Sequence, residues 1–397
     1  MNILFYTLYE VSPQKGGTER ITSTISNILK KKYQHKCYSI YNIAISNNYI
    51  RTSFDQKEQI PFNNDFEERI CKFIIQHNID FVINQGVFTH TKSLRQAINR
   101  TKKCKLITTH HFSPGSEELF YNRHYIKYIT KHNFFKYIIK ELLYPLEKRA
   151  NHNRNIRSYY EAHKYSDYII LLSPHFKQDF IEYAKINSNS KKFHFIPNSL
   201  SFDYFFNIKE YYTKEKEVLI VSRLDETHKR ISLALKIWKE IEKINDVKQW
   251  NLTIVGHGDE YENEYKNYVN RNHLKRVKFV GLQQPEIYYK KAAIFMMTSI
   301  SEGWGLTLTE AQQFGVVPIA FNSYASIKDI IANNKNGILI EEKNLKDYIN
   351  KLYMLMKDDN VRKEIASEAI LSSKRFEINV IGQKWNLLLN ELKNKNN

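Results

Sequence analysis

Ten consecutive residues, Ser301-Glu302-Gly303-Trp304-Gly305-Leu306-Thr307-Leu308-Thr309-Glu310, hold two carboxylates eight positions apart around a pair of glycines. They follow an apolar run at 293–299 (AIFMMTS) that reads as a buried strand. They lead into a helix expected over about 307–314 and ended by Gly315. A strand, a glycine loop and a helix N-terminus in that order gather backbone N–H groups at the positive end of a helix dipole, where an anion such as a phosphate is stabilised. Gly303 and Gly305 lack a Cβ, so the backbone there can approach a ligand. Glu302 stands at the strand's exit and Glu310 about one turn into the helix, so both can line one cleft. A carboxylate touching a phosphate would repel it, whereas accepting hydrogen bonds from sugar hydroxyls suits it. The bland alternative is an ordinary strand-to-helix turn with solvated acids.

A second cluster pairs two cations. Arg223 leaves the strand-like run VLIVSRL (218–224), and Lys229 follows six positions later at the start of a helix. A diphosphate leaving group needs its growing charge met by a metal or by a fixed Arg and Lys. Structural salt bridging explains the pair equally well. No Asp-x-Asp of the kind that bridges a nucleotide to a metal is present, so neither metal nor cofactor is expected. Gly16-Gly17 after the first apolar run, and Gly256-His257-Gly258 after LTIVG (252–256), are further loops that follow strands.

These side chains need a scaffold to hold them. Short apolar runs at 2–8, 80–84, 105–109 and 167–172 alternate with helical spacing such as Ile21, Ile25, Ile28 and Leu29. The alternation resumes with runs at 218–224, 252–256, 277–281, 293–299 and 316–321. Such alternation predicts an α/β chain with two doubly wound parallel sheets. The break falls between Asn198 and Lys216, within a polar aromatic stretch, and 397 residues suit two domains. Three cysteines (Cys37, Cys71, Cys104) without a C-x-x-C pair argue against a disulfide framework or structural zinc and for a reducing compartment. The opening MNILFYTLYE lacks a basic n-region and reads as a strand, not a signal peptide; no run reaches the length of a membrane-spanning helix. A cytoplasmic location follows as the expectation.

The net charge of +18 is uneven: residues 1–210 carry 31 basic and 18 acidic side chains, +13 of the total. That half is the one suited to an anionic partner. Residues 120–165 concentrate 10 Lys/Arg, 3 Glu, 4 His and 11 aromatics, with helical spacing until Pro145 interrupts or kinks it. Two readings compete for this stretch. In one, an aromatic face fills the core while a basic face is solvated. In the other, about 120–149 meets an anionic membrane, with Phe134, Phe135 and Tyr137 at headgroup depth and Lys127, Lys131, Lys136 and Lys140 on lipid phosphates.

Taken together, these features resemble the retaining glycosyltransferases of the GT4 family, which have the GT-B fold. The likeness rests on EGWGLTLTE as an E-x7-E signature, the Arg–Lys pair in VSRLDETHK, the early GG loop, IVGHGDE, IPNS before the hinge, and the tryptophan-bearing NVIGQKWNLLL. It is co-linear over nearly the whole chain, tightest in 218–321 and loosest in 45–160. Trp304 stands where Phe is usual and Ser199 where Gly is common. The resemblance implies two Rossmann-like domains facing a central cleft. Residues 1–207 would lie on the acceptor side and 208–375 would bind the nucleotide sugar, with a helix in 376–397 crossing back to the first domain.

On the same basis, Glu310 would bind the donor's ribose hydroxyls. Glu302, with the backbone of Gly303, Trp304 and Gly305, would hold the donor sugar. Leu306 and Thr307 would contact the diphosphate, Arg223 and Lys229 would neutralise it, and Gly17 and Gly256 would lie against the donor. The family's active-site histidine follows a strand of the first domain; KLITTHHF offers His110 and His111, and register favours His111. The function implied is transfer of a sugar from a nucleoside diphosphate donor to a hydroxyl of a glycan or lipid-linked acceptor, in surface polysaccharide synthesis, by an enzyme that is cytoplasmic or peripheral on the inner membrane face. The rivals are a nucleotide-sugar 2-epimerase of related fold and a basic nucleic-acid-binding protein. The chain lacks an RNP-type motif, zinc fingers and an Arg-rich stripe, so no nucleic-acid partner is expected.

Overall fold

Continuous apolar runs, rather than alternating ones, build the strands here, because helices cover both faces of each parallel sheet. The computed structural model describes residues 1–12, 16–45, 54–101, 104–130, 133–258 and 261–394. The chain divides into two units, Met1–Ser201 with Ile378–Asn397, and Phe202–Glu377.

The first unit holds seven strands: β1 (Asn2–Tyr9), β2 (Lys36–Ile43), β3 (Gln56–Gln59), β4 (Phe81–Gln85), β5 (Lys105–His110), β6 (Tyr168–Leu171) and β7 (Phe193–Phe195). Their order is β3-β2-β1-β4-β5-β6-β7, parallel at every pairing. The direction of winding reverses between β1 and β4. Central β4 is buried at every position, whereas edge strand β3 (QKEQ) is polar throughout, which suits an edge that must not recruit another strand. The helix Ile378–Asn394 lies against the helix Gly17–Tyr33 so tightly that a Cβ on Gly382 would stand 2.7 Å from Ile28 Cγ1. The chain therefore ends in the unit in which it begins.

The second unit holds β8 (Glu215–Val221), β9 (Asn251–Val255), β10 (Val277–Gly281), β11 (Ala292–Met297), β12 (Val317–Phe321) and β13 (Ile338–Ile340). They run in the order β10-β9-β8-β11-β12-β13, again all parallel. Here the winding reverses between β8 and β11. Trp238 and Trp250 are fully buried in its core, and the Arg362 guanidinium stacks over Trp250 at 4.9 Å. The unit starts at Phe202, earlier than the 207/208 boundary expected from sequence, because Phe202 and Tyr204 pack on Phe314 at 5.3 and 5.1 Å and the Phe206 amide donates to Gln313 O.

Each apolar run singled out in the sequence corresponds to a strand, with ends shifted by a few residues. Strands β2, β3, β7 and β13 are not among them: Ser39 and Asn42 interrupt the apolar run of β2, β3 is a polar edge strand, and β7 and β13 are three residues long. A second departure concerns Pro145, which interrupts nothing: one helix runs from Phe134 to Tyr165 through it. Proline removes the amide that would bond the Glu141 carbonyl, and Pro145 is exposed on a stretch without buried residues, where water can replace that bond. Among the described residues no helix is long and apolar enough to cross a membrane.

Candidate functional site

In a doubly wound sheet, ligands bind beyond the carboxyl ends of the strands where the winding reverses. In the second unit that point lies between β8 and β11, and the loops leaving these two strands carry Arg223, Lys229 and Glu302. The loops are stitched together. Ile300 N donates to His228 O at 2.7 Å, Thr298 Oγ1 donates to Lys229 O at 2.9 Å, and Arg230 Nε donates to Thr298 O at 2.7 Å. Arg230 adopts φ 51°, a strained conformation for a side-chain-bearing residue, and its guanidinium is anchored on Glu342 at 2.6 Å. A pocket opens there, lined among others by Ser222, Lys229, Thr298, Ser299, Glu302 and Thr307.

Both predicted cations are present at this point, and each faces a carboxylate. Lys229 Nζ lies 2.5 Å from Glu302 Oε1, which also accepts from Ser299 Oγ at 2.7 Å. Arg223 pairs with Asp225 at 2.7 Å, with its side chain 63% exposed. Burial raises the Asp225 carboxyl, but hydrogen bonds from His228 and Arg223 outweigh it and hold the group well below the usual carboxylate range. Lys229 is thus a half-buried cation neutralised by its neighbour, and Arg223 a cation at the rim.

The helix following Glu302 runs Leu306–Gln313, behind Gly305 in the left-handed region at φ 84°. A side chain at 305 would be strained by that angle and would meet Tyr324 Oη at 2.9 Å. The first amides of a helix have no carbonyl behind them to bond, so the N–H groups of Leu306 and Thr307 face the loop end. Ser326 Oγ donates to Gly303 O at 3.1 Å and fixes the loop. Trp304 is turned inward, edge-on to Phe376 at 5.2 Å, with Nε1 covered and without a hydrogen-bond partner among the described residues. Its ring serves packing. Glu310 has no exposed surface and accepts a 3.0 Å hydrogen bond from Tyr289 Oη. It follows Thr307 by three positions on the same helix face, so it lies behind the pocket wall and not among the lining residues above.

Gly256 is required by packing within the second unit. At φ 144°, a Cβ there would stand 1.8 Å from the Ser222 carbonyl oxygen, so the missing side chain lets the loop after β9 press on the loop that carries Arg223. Gly258 meets Leu224 O in the same way, at 2.2 Å. These glycines shape the site by packing its own backbone.

In the first unit the winding reverses between β1 and β4. Gly17 opens the helix after β1 and is exposed; residues 13–15 before it lie outside the described residues. His110 closes β5 and is buried, 3.0 Å from Tyr159 Oη, with Phe88 and Phe180 around it. His111, the first residue past the strand, is half-buried, with Nε2 2.5 Å from Gln85 Oε1 and Nδ1 covered and without a hydrogen-bond partner among the described residues. Burial pushes the His111 imidazole down to about 4 and that of His110 to about 3, so both are neutral at pH 7. Among the described residues no cluster of His, Cys, Asp or Glu could hold a metal ion.

Residues 202–371, nearly all of the second unit, match the family model for glycosyl transferases group 1. The second unit matches that family. The chain is 25% identical to an uncharacterized glycosyltransferase of Haemophilus influenzae over 376 residues, covering 94% of this chain and 96% of that one. Over 185 residues, 46% of this chain and 50% of the relative, it is 32% identical to the GalNAc-alpha-(1->4)-GalNAc-alpha-(1->3)-diNAcBac-PP-undecaprenol alpha-1,4-N-acetyl-D-galactosaminyltransferase of Campylobacter jejuni. The structure superposes on Anabaena HepE, solved with UDP and glucose, with a TM-score of 0.70 at 16% identity, covering 98% of this chain and 100% of that one. The fold is GT-B.

Several residues of this glycosyltransferase's site escape sequence reasoning. Asp225 and His228, which flank the Arg–Lys pair, carry the signal of adjacency and nothing more. Ser299 and Tyr289 carry none, since a hydroxyl near a strand end and one tyrosine among 27 are unremarkable.

Proposed function

We propose that the chain is a retaining, GT4-type glycosyltransferase that moves a sugar from a nucleoside diphosphate donor to a hydroxyl of a glycan or lipid-linked acceptor, in surface polysaccharide synthesis and without a metal. The observation that carries this reading is the pocket at the β8/β11 reversal, where Lys229 and Glu302 meet beside the N-terminus of the helix Leu306–Gln313. The diphosphate takes the helix amides and the two cations, Lys229 inside and Arg223 at the rim. Glu302 and the Gly303–Gly305 backbone face the sugar, and Glu310, one turn beyond Thr307 and covered by the pocket wall, takes the ribose hydroxyls when that wall moves aside. Neutral His111 presents a hydrogen-bonding group beyond β5 on the acceptor side. The charge that grows on the leaving diphosphate is met by fixed cations and dipoles, and the diphosphate oxygen receives the acceptor's proton. A thermal-shift panel of UDP-, GDP- and other nucleotide sugars identifies the donor through the stability that binding adds. With that donor, NMR of the product linkage reads retention, and turnover with and without EDTA reads the metal. Inversion of the anomeric centre, or loss of activity restored by Mg²⁺ or Mn²⁺, would refute the respective part.

A second proposal concerns the membrane. The helix Phe134–Tyr165 leaves Phe134, Phe135, Ile139, Leu142 and Leu146 between 56% and 78% exposed, so this stretch does not fill a core. Contiguous apolar exposure on that scale marks an interaction surface. Lys136, Lys148 and Arg149 are exposed beside it, while Lys140 is tied to Glu147 at 2.6 Å and contributes less charge than expected. Lys131 and the side chain of Lys127 lie outside the described residues. The Campylobacter relative, by its name, acts on an undecaprenol-linked glycan, which suits an enzyme held at a bilayer. Co-sedimentation with vesicles containing anionic lipid should occur at low salt, fall with salt, and drop when Phe134, Phe135 and Leu142 become serine. Indifference of the wild type to such vesicles would overturn the proposal.

A further inference from the structure

We propose that Tyr289 is a positioning residue for Glu310 and that Lys214 fixes Tyr289 in turn; the inference rests on the reading of Glu310 as the acceptor of the donor's ribose hydroxyls. Tyr289 has no exposed surface, and its hydroxyl donates to Glu310 Oε2 at 3.0 Å, with the Thr307 carbonyl at 3.4 Å. A buried phenol must place its proton on some acceptor, and here the acceptor is the carboxylate behind the pocket wall. The ring is clamped as well. It stacks on Phe314 with centroids 5.6 Å apart and planes 17° apart, and it touches Phe295 at 6.0 Å. Phe314 closes the helix that carries Glu310, its amide donating to the Glu310 carbonyl at 3.1 Å.

Lys214 joins the two elements from behind. Its ammonium donates to Tyr289 O and to Phe314 O, both at 2.8 Å, and lies 4.2 Å from the Phe206 ring. The two carbonyls sit at the C-terminal ends of the helices Glu286–Lys291 and Leu306–Gln313, where carbonyls lack helical partners and the lysine N–H groups supply them. One lysine therefore sets how far the tyrosine stands from the helix that bears the glutamate. The result is a chain from Lys214 through Tyr289 to Glu310, which holds a carboxylate in one rotamer before the ligand arrives.

The test uses the full chain and whichever of UDP, GDP, ADP and TDP the wild type binds most tightly, paired with the same nucleotide lacking the 2′- and 3′-hydroxyls. Tyr289→Phe should weaken binding of the normal nucleotide about tenfold, the size of one hydrogen bond to a charged group, and leave the dideoxy form unchanged. Added to Glu310→Gln it should cost nothing further. The ratio of the two affinities, read by calorimetry, does not depend on how much of the variant is folded. Equal weakening of both nucleotides would show a general packing role, and unchanged or tighter binding would show that the hydroxyl does not position Glu310; either overturns the inference. If Glu310→Gln itself leaves nucleotide binding intact, the donor reading fails instead.

Discussion

The two units share one architecture but treat charge in opposite ways. In the second unit the reversal point is ionic: Lys229 on Glu302, Arg223 on Asp225 and Arg230 on Glu342 join the loops that follow β8, β11 and β13. In the first unit the ground beyond β5 is aromatic, with His110 and His111 uncharged, Tyr159, Phe88 and Phe180 around His110, and the Glu117 carboxylate met by the Tyr159 hydroxyl and not by a cation in that contact. The contrast fits a division of labour. A diphosphate requires charge fixed in advance, whereas an acceptor hydroxyl requires hydrogen bonds in surroundings of low polarity.

The comparison breaks most decisively at the cations. Lys229 is 21% exposed, so its field is little screened, while Arg223 is 63% exposed. Lys229→Ala should therefore lower kcat by about 100- to 1,000-fold, as removal of a preorganised stabilising group does. Arg223→Ala should lower it by only about tenfold, near the ceiling for exposed charges. Steady-state kinetics on both variants checks this. Equal losses would mean that burial of the ion pair is not what gives Lys229 its strength.

A smaller effect separates two glycines of the second unit. Gly256→Ala would drive a Cβ into the Ser222 carbonyl at 1.8 Å, whereas Gly281→Ala meets nothing within 4 Å and suffers only its φ of 72°. The first substitution should cost about 3 kcal/mol or more and the second about 1 kcal/mol, measured by urea unfolding. The first should also displace the Arg223 loop, so donor affinity in residual folded protein should fall with it. If Gly256→Ala is as mild as Gly281→Ala, the loops are not in the contact that shapes the site.

The same contrast explains what the sequence discloses. The inner strands are continuous runs such as FVINQ and AAIFMM, buried on both faces, and they stand out. Edge strand β3 reads QKEQ and β7 is FHF, too polar or too short to separate from loops. The second unit's site is legible because its glycines and charges crowd into 222–230 and 301–310. What pairs with what is not legible: Glu302 with Lys229, or Glu310 with Tyr289, are contacts across 73 and 21 positions that only the folded sheet creates. In the first unit, register singles out His111, but its bond to Gln85 arises because β4 and β5 are neighbours, a fact of strand order. Lys214 is hidden by abundance, one of 45 lysines.

The finest distinction between the units is the pH at which each loses stability. Burial holds His90 and His111 at about 4 and His110 at about 3, all in the first unit, against 6.5 when exposed. Between those values the unfolded chain binds protons that the folded chain does not, so stability rises with pH through that window and is lost as pH falls below about 6.5. Lys214 in the second unit follows the same sign in another window: burial pushes it down to about 7 from 10.5, so its contribution grows as pH rises from about 7 towards 10.5. Urea midpoints measured from pH 5 to 9 should therefore fall on the acid side through the histidines and climb on the alkaline side through Lys214. His111→Gln should flatten the acid limb by about 1–2 kcal/mol between pH 7 and 5 and leave the alkaline limb unchanged, while Lys214→Met should do the reverse. If His111→Gln leaves the acid limb as steep as in the wild type, His111 is not held neutral by the fold, and the neutral character assigned to the first unit's site is wrong at that residue.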